Sequence, residues 1–224
     1  ELLPINGKPG LEYILDECID AGVKEIIFII SNKKKLIKKY FYNDNFYKKI
    51  LKIKKDKRLN KEYKKILNFK KKIKFVYQNK PLGTGDAVLK TQKYITGSHF
   101  LMLFPDDLII KKNCSKDMIS IHKKLKCSVM ASIKVKKNEV NRWGIYSIDK
   151  KLNKQNFSIK DVIEKPKPVQ APSTSAVIGR YILPKKIFAK LKKQKKGIGG
   201  EIHITDSIRK LIKENYRFVG HNFA

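Results

Sequence analysis

The sequence has few cysteines, few arginines and no long apolar run, and each shortage excludes a class of protein. Its 3 cysteines, Cys18, Cys114 and Cys127, are odd in number and lack metal-ligand spacing, so they predict neither a disulfide framework nor a zinc site. They are typical of reduced thiols, and we expect a cytoplasmic protein. No apolar run reaches the roughly 20 residues that cross a bilayer, so no membrane partner is expected.

Acidic residues and arginines are scarce beside lysine. The sequence has 47 Lys and only 5 Arg against 20 acidic residues, and its formal net charge is +32. Such a charge could serve a nucleic-acid or anionic-membrane surface, but proteins that read nucleic acid rely on Arg for bidentate contacts. The lysines are spread along the chain, and Lys, Asn and Ile share A/T-rich codons. We therefore favour a solvated, lysine-biased surface with no specific nucleic-acid partner, which would still attract anionic substrates.

The first half of the sequence alternates between apolar strands and amphipathic helices. Its 224 residues and 42% apolar content allow one large domain with a real core. The run 25–30 is continuously apolar, as in a parallel strand covered on both faces. Other predicted strands are 73–78, 99–104, 127–136, 143–148, 159–164 and 176–183, and the predicted helices include 33–42, 43–72, 84–95, 115–125, 185–193 and one capped by Thr205 or Asp206. This alternation predicts an α/β fold with a parallel, doubly wound sheet.

A glycine-bearing loop before the helix at 84–95 is the most informative segment. Gly83 and Gly85 would let the backbone approach a flat or charged ligand, and the helix directs its free N–H groups into the same space. Asp106 and Asp107 follow a buried strand, at the edge where open α/β sheets bind ligands. Together these features are what a nucleotide and its Mg²⁺ need. Taken singly, a glycine pair more often forms a turn, and Asp106 would as readily cap a helix.

Seven short motifs, in this order, resemble those of the bacterial UTP–glucose-1-phosphate uridylyltransferases, also called UDP-glucose pyrophosphorylases. They are Glu1–Ile5 with Lys8 and Pro9, Glu17–Gly22, Gln78 with Gly83 and Gly85, Pro105–Asp107, Val162–Pro166, Ile178–Tyr181 and Gly200–Asp206. The resemblance covers essentially the whole chain. It implies a Rossmann-like nucleotidyltransferase fold with a mostly parallel central sheet. It also implies the reaction of UTP with α-D-glucose 1-phosphate to give UDP-glucose and pyrophosphate, with Mg²⁺ as cofactor.

The resemblance assigns roles to individual residues. Gln78 would hydrogen-bond the pyrimidine, and Gly83 and Gly85 would form the nucleotide-binding loop. Asp106 would be a catalytic residue as the ligand of Mg²⁺, and Lys165 would be catalytic by neutralising the phosphate of the sugar. The residues that would bind the sugar are Gly144, Glu164, Gly179 and Glu201.

Three of these residues, Gln78, Glu164 and Lys165, also have a simpler interpretation without a binding role. Gln78 could be a solvated amide at the end of a strand. Glu164 and Lys165 are adjacent on a strand, so their side chains should point to opposite faces, and a surface ion pair is the usual fate of such a dipeptide. Both could serve the sugar phosphate only if the strand bends locally, as the resemblance implies.

The resemblance divides a single domain into a nucleotide-binding half, residues 1–110, and a sugar-phosphate-binding half, residues 111–224. The family's glycine-rich loop would precede Glu1 and a second metal-binding Asp would follow Ala224, so we expect the 224 residues alone to be inactive. Relatives are commonly dimers or tetramers, which predicts a homo-oligomer at full length. Two alternatives stay open: a sibling sugar-1-phosphate nucleotidyltransferase that uses dTTP or CTP, and a non-catalytic homologue that binds a nucleotide sugar.

Overall fold

The computed structural model of the protein describes residues 1–110 and 112–223. Its strands are β1 Pro4–Ile5, β2 Lys8–Pro9, β3 Ile26–Ile30, β4 Ile73–Tyr77, β5 His99–Leu103, β6 Ser128–Lys134, β7 Gly144–Lys151, β8 Asn156–Glu164, β9 Ser175–Pro184 and β10 Phe218–Asn222. Its α-helices are α1 Gly10–Asp20, α2 Lys35–Tyr42, α3 Asn45–Ile53, α4 Lys57–Lys72, α5 Thr84–Leu89, α6 Cys114–Leu125, α7 Ile187–Lys192 and α8 Ile204–Lys213. Residue 111, where the second predicted half begins, and residue 224 lie outside this description.

Six strands form one mixed sheet, in the order β5–β9–β6–β10–β8–β7, with a further contact between β7 and β9. Strands β6 and β10 are parallel, whereas the β5–β9, β6–β9, β7–β8 and β8–β10 pairs are antiparallel. The predicted α/β architecture is confirmed. The expectation of a mostly parallel central sheet is corrected for these six strands.

The connection between β7 and β8 explains why these two strands are antiparallel. Only residues 152–155 join them. A parallel pair needs a crossover of about a dozen or more residues, usually a helix. The alternation of strand and helix therefore stops after β6, where the sequence already predicts three strands in succession without a helix.

A second sheet consists of the parallel strands β3 and β4. Helices α1, α2 and α4 cover it through a cluster of buried apolar side chains: Leu11, Leu15, Ile30, Ile37, Phe41, Ile66, Phe69 and Ile73. Residues 26–29 of β3 are only partly buried. This partial burial shows that the cover predicted for both faces of β3 is incomplete.

The larger sheet packs between two helical layers, and β9 contributes to both. Val177 and Tyr181 belong to the core shared with α5, α7 and α8, whereas Ile178 and Ile182 belong to the core shared with α6. This alternation is the ordinary period of a strand. Strand β9 also bulges, because it advances by four residues from Val177 to Tyr181 while β6 advances by two. Bulges are over-represented next to active sites, where they re-aim side chains.

Some predicted boundaries differ from the observed ones for local reasons. The predicted helix 43–72 is divided because the Oδ1 atom of Asp56 accepts bonds from the backbone N of Arg58 (2.8 Å) and Leu59 (3.0 Å) and so begins a new helix. The last helix begins at Ile204, so Thr205 and Asp206 lie in its first turn rather than at its cap. Strand β10 is not among the predicted elements.

Candidate functional site

The loop between β4 and α5 is held by the side chain of Gln78. Its Nε2 donates to the carbonyl oxygen of Gly83 (3.0 Å) and to Oδ2 of the buried Asp86 (2.8 Å). Its backbone N donates to the carbonyl oxygen of Ile30 at the end of β3 (2.9 Å). In the described part of the chain, the Oε1 atom of Gln78 accepts no hydrogen bond. This oxygen is therefore an acceptor that a ligand can use.

Gly83 and Gly85 have a packing role that the sequence does not reveal. Gly83 has a φ of +95°, and a Cβ there would lie 2.7 Å from the carbonyl oxygen of Ile202. A Cβ on Gly85 would lie 2.7 Å from Cγ2 of the same residue. The Ile202 backbone accepts a bond from Gly85 N (2.7 Å) and donates one to Leu82 O (2.8 Å). The two glycines thus let this segment lie against the loop, which also brings Glu201 beside Gly83.

Asp106 and Asp107 follow β5 as predicted, but their surroundings differ. Oδ2 of Asp107 accepts a hydrogen bond from the backbone N of Gly179 at 2.6 Å, so this carboxylate supports β9. Asp106 is exposed, and its side chain has no hydrogen bond or ion pair within the described residues. A Cβ on Gly179 would lie 2.4 Å from Cβ of Phe104, so only glycine fits there. The free carboxylate therefore lies beside a tightly packed contact between the end of β5 and the adjacent strand β9.

Arg180 is fully buried and binds the backbone on both sides of Asp106. Its Nη1 donates to the carbonyl oxygens of Phe104 (3.2 Å) and Gly179 (2.9 Å), and its Nη2 donates to that of Asp107 (2.8 Å). These contacts fix both ends of the 104–107 turn, the four residues Phe104–Asp107. The positive charge is balanced by Glu17 of α1, whose Oε2 lies 2.8 Å from Nη2.

Glu17 connects this cluster to two helices. Its Oε1 accepts a bond from Oγ of Ser115 (2.5 Å), and its carbonyl oxygen accepts one from Nδ2 of Asn113 (3.0 Å). Burial, together with the Glu17 carboxylate, raises the pKa of Cys18 and of Cys114 to about 12. Both thiols are therefore protonated at neutral pH and are not candidate nucleophiles.

Gly144 and Glu164 are paired across β7 and β8. A Cβ on Gly144 would lie 3.2 Å from Oε2 of Glu164, so this carboxylate lies directly over the glycine. The next residue, Lys165, has a φ of +48° and donates its backbone N to the carbonyl oxygen of Trp143 (2.9 Å). Left-handed backbone is rare for a lysine. It provides the local bend that the resemblance implies, so the strand alternation does not force these two side chains apart.

Tyr181 is a buried residue of β9 that lies within electrostatic range of two carboxylates of the site. Burial raises its pKa, and the nearby carboxylates of Glu164 and Asp107 raise it further. Both carboxylates therefore lie near one buried phenol, although they come from different strand ends.

The structure accordingly gathers the predicted residues into two groups. The loop group comprises Gln78, Gly83, Gly85 and Glu201. The sheet group comprises Asp106 and Gly179, at the end of β5 and in the adjacent β9 with Asp107 as support, together with Gly144, Glu164 and Lys165 at the junction of β7 and β8. Glu201, expected with the sugar-binding residues, packs with the loop group.

Arg180 and Glu17 lie within motifs that the sequence shares with the family, but the sequence alone led to no functional role for either residue. A usable signal was present. Arg180 is 1 of only 5 arginines and interrupts the otherwise apolar run 176–183. A charged residue in a fully buried strand requires a partner of opposite charge, so the search for a buried carboxylate could have begun from the sequence.

Residues 1–110 and 112–223 contain no group of three or more His, Cys, Asp or Glu side chains that could hold a metal ion. No helix in the same residues is long and apolar enough to cross a membrane.

Comparison with known proteins identifies the class to which this fold and site belong. Residues 1–224 match the sequence profile of the nucleotidyl transferase family. The chain belongs to the nucleotidyl transferase family.

Its relatives within this class have specific names. A Methanocaldococcus jannaschii protein, provisionally named a UTP–glucose-1-phosphate uridylyltransferase, is 35% identical over 96% of this chain and 75% of its own length. The UTP–glucose-1-phosphate uridylyltransferase 2 of Streptococcus pyogenes is 31% identical over 95% of this chain and 72% of its own length. A crystal structure of UDP-glucose pyrophosphorylase complexed with UDP-glucose superposes with a TM-score of 0.86 and 32% identity, over 100% of this chain and 82% of that one. The resemblance drawn from the motifs is confirmed.

Proposed function

We propose that the protein transfers a uridylyl group from UTP to α-D-glucose 1-phosphate and releases pyrophosphate. The observation that carries this proposal is the identity of 31–35%, over 95–96% of the chain, with proteins of that name. In this reaction an oxygen of the sugar phosphate attacks the α-phosphorus of UTP. A new P–O bond forms as the bond to the leaving pyrophosphate breaks. In such transfers the protein mainly aligns the two substrates and neutralises the charge on their phosphates.

The loop group supplies base recognition in this proposal. Nε2 of Gln78 donates hydrogen bonds to Gly83 and Asp86, and these bonds fix the orientation of the side-chain amide. Its Oε1 is therefore held in place as a hydrogen-bond acceptor. Uracil has a donor at N3, whereas cytosine has an acceptor there, so a fixed acceptor favours UTP over CTP. Thymine keeps the N3 donor and differs from uracil only by a methyl group. The loop therefore supports uridine against cytidine, and a comparison of kcat/KM for UTP and dTTP decides between these two nucleotides.

The sheet group serves the sugar phosphate. Glu164 is exposed over Gly144 and would accept hydrogen bonds from glucose hydroxyls. The exposed ammonium of Lys165 has no hydrogen-bond or ion-pair partner in the described part of the chain, which leaves it free to meet the phosphate. Residues held in strained backbone conformations cluster at functional sites, and the left-handed backbone of Lys165 agrees with such a role. Glu201 lies at the loop group and would reach the sugar from there. In this scheme residues 1–110 bind the nucleotide and the later half binds the sugar phosphate.

Asp106 would hold Mg²⁺. Its carboxylate is free and exposed, whereas that of Asp107 is occupied by Gly179. Mg²⁺ typically takes one or two protein carboxylates, with waters and substrate phosphates as its other ligands. One free carboxylate at the end of β5 fits that chemistry. When bound, the metal would neutralise charge on the phosphates of the substrate.

Several wider properties belong to the same proposal. The three cysteines are buried and unpaired, which agrees with a reducing, cytoplasmic location. A homo-oligomeric assembly and the absence of nucleic-acid or membrane partners are also proposed, on the grounds given for the sequence.

The test uses the full natural gene product and follows formation of nucleotide sugar from glucose 1-phosphate with UTP, dTTP or CTP. We expect kcat/KM to be highest with UTP. The Asp106→Asn variant should keep its circular dichroism spectrum and lose most activity, because an amide is a poorer ligand for Mg²⁺. Asp149→Asn, at another exposed aspartate, is the control and should retain activity. Preference for dTTP or CTP would indicate a sibling enzyme, and tight UDP-glucose binding without turnover would indicate a non-catalytic homologue.

A further inference from the structure

We propose that Arg180 is the positioning residue for Asp106, and that its guanidinium determines how well the protein binds a divalent metal ion. The inference rests on the proposed function, in which Asp106 is the metal ligand. It assigns the metal site a buried support that lies outside the predicted residues.

The hydrogen bonds of Arg180 use the whole guanidinium. An arginine carries five N–H donors in a rigid, planar fork. Nε donates to Glu17 at 3.0 Å, and each terminal nitrogen has two acceptors, among them the carbonyl oxygens of Phe104, Gly179 and Asp107. Every donor is therefore satisfied, and three of the acceptors are backbone oxygens, two in the 104–107 turn and one in the adjacent residue Gly179 of β9.

The support is anchored to the helical layer behind the sheet. Glu17 is 6% exposed and belongs to α1. The same carboxylate accepts bonds from the hydroxyl and the backbone N of Ser115 at the start of α6. Arg180 thus joins the turn to two helices, and the turn cannot move without disturbing a buried ion pair.

The effect on Asp106 follows from its place in the chain. The carbonyl groups of Phe104 and Asp107 are held on either side of it, and the Asp107 side chain is held by Gly179 N at 2.6 Å. The Asp106 side chain itself is free. Its position is therefore set by the backbone, and the backbone is set by Arg180. A lysine would keep the charge but, as a single ammonium, could not span all of these acceptors.

The decisive experiment compares Arg180→Lys with Arg209→Lys in the full natural gene product. Arg209 forms a two-point ion pair with Asp161, at 2.8 Å for each contact, between α8 and β8. It is the matched control because it also loses an arginine fork but has no contact with the turn. Binding of Mn²⁺, used as a paramagnetic probe in place of Mg²⁺, is titrated by electron paramagnetic resonance with UDP-glucose present. All samples are kept below the unfolding temperature found by circular dichroism.

We expect Arg180→Lys to raise the Kd for Mn²⁺ by about tenfold or more, in line with the 10- to 100-fold cost of losing outer support at metal sites. Its kcat should fall while the KM values for UTP and glucose 1-phosphate change by less than about threefold. Arg209→Lys should change the Kd by less than twofold.

A change in the Kd of less than twofold for Arg180→Lys would overturn the proposal and leave Arg180 a purely structural residue. If Arg180→Lys does not fold, Glu17→Gln decides, since it removes the charge that holds the Arg180 guanidinium in place and leaves the 104–107 turn and Asp106 unaltered. An unchanged Kd in that variant overturns the proposal, and a raised Kd supports it. Asp106→Asn separates this inference from the proposed function: if it leaves Mn²⁺ binding unaltered, the metal assignment itself fails.

Discussion

Replacing Gly179 by alanine tests whether close packing at β9 determines the position of Asp106. The added methyl carbon would lie 2.4 Å from Cβ of Phe104 and 2.7 Å from Oδ2 of Asp107. Carbon atoms normally approach to about 3.5–4.0 Å, so the 104–107 turn must move by about 1 Å. The contact with Phe104 cannot be relieved by rotating a side chain, because its Cβ is fixed to the backbone.

The size of two effects can be worked out from this displacement. Overpacking a core typically costs about 1–3 kcal/mol, and each kcal/mol lowers Tm by about 2–4 °C in a domain of this size. A misplacement of about 1 Å at a reacting centre can reduce the rate by about 100-fold. Gly179→Ala should therefore be moderately destabilised and almost inactive.

Gly220→Ala is the control for stability. A Cβ at Gly220 would lie 2.2 Å from two ring atoms of Phe157 in the core, so it creates a comparable clash away from the site. Thermal unfolding by circular dichroism and pyrophosphate release should be measured for both variants of the natural gene product. Gly220→Ala should lose stability and keep activity at temperatures where it is folded. A Gly179→Ala variant whose turnover stays within threefold of the unchanged enzyme would refute the reasoning.

Three further outcomes are expected. Lys165→Ala should raise the KM for glucose 1-phosphate by about 30- to 1,000-fold, from the 2–4 kcal/mol of a desolvated charged contact, while Lys160→Ala, at another exposed lysine, should not; a loss confined to UTP would mean that the two phosphates are interchanged. Burial lowers the pKa of His221, whose buried Nε2 has no hydrogen-bond partner among the residues that the structure describes, so the folded protein binds fewer protons than the unfolded chain. The free energy of unfolding from urea titrations should therefore fall as the pH drops below about 6.5, and this fall should be smaller in His221→Gln; equal pH dependence in both proteins would contradict the assignment. Nucleic-acid binding measured by fluorescence anisotropy should be weak and lost near physiological salt, and sub-micromolar, sequence-selective binding there would revive the nucleic-acid hypothesis.

The sequence predicts the local elements well because their signals are local. Helical spacing and apolar runs locate α6, β5 and β9 to within a few residues. Strand pairing is decided by connection length and by long-range contacts, which the repeating pattern of apolar residues does not contain. This is why the antiparallel order of the larger sheet differs from the expectation.

The site shows the same limit. Glycines 83 and 179 are recognisable from their motifs, but the atoms that exclude a side chain there belong to Ile202 and Phe104, distant in sequence. Glu17 and Arg180 form an ion pair although they are 163 positions apart in the sequence, so no rule based on sequence spacing could have predicted that they are in contact. The bend at Lys165 was expected from the resemblance alone, since a lysine gives no sign of left-handed backbone.

That bend also bears on how stable the protein can be. A left-handed residue other than glycine costs roughly 1–2 kcal/mol, a sizeable part of the 5–15 kcal/mol that holds a typical domain folded. Glycine adopts a φ of +48° without this strain, so Lys165→Gly should unfold at a temperature no lower than that of the native chain. Selection for durability alone would favour that glycine. With the role proposed for Lys165 at the sugar phosphate, a lysine at this position is a trade between stability and activity, and attempts to make the protein more heat-resistant should leave residue 165 unchanged.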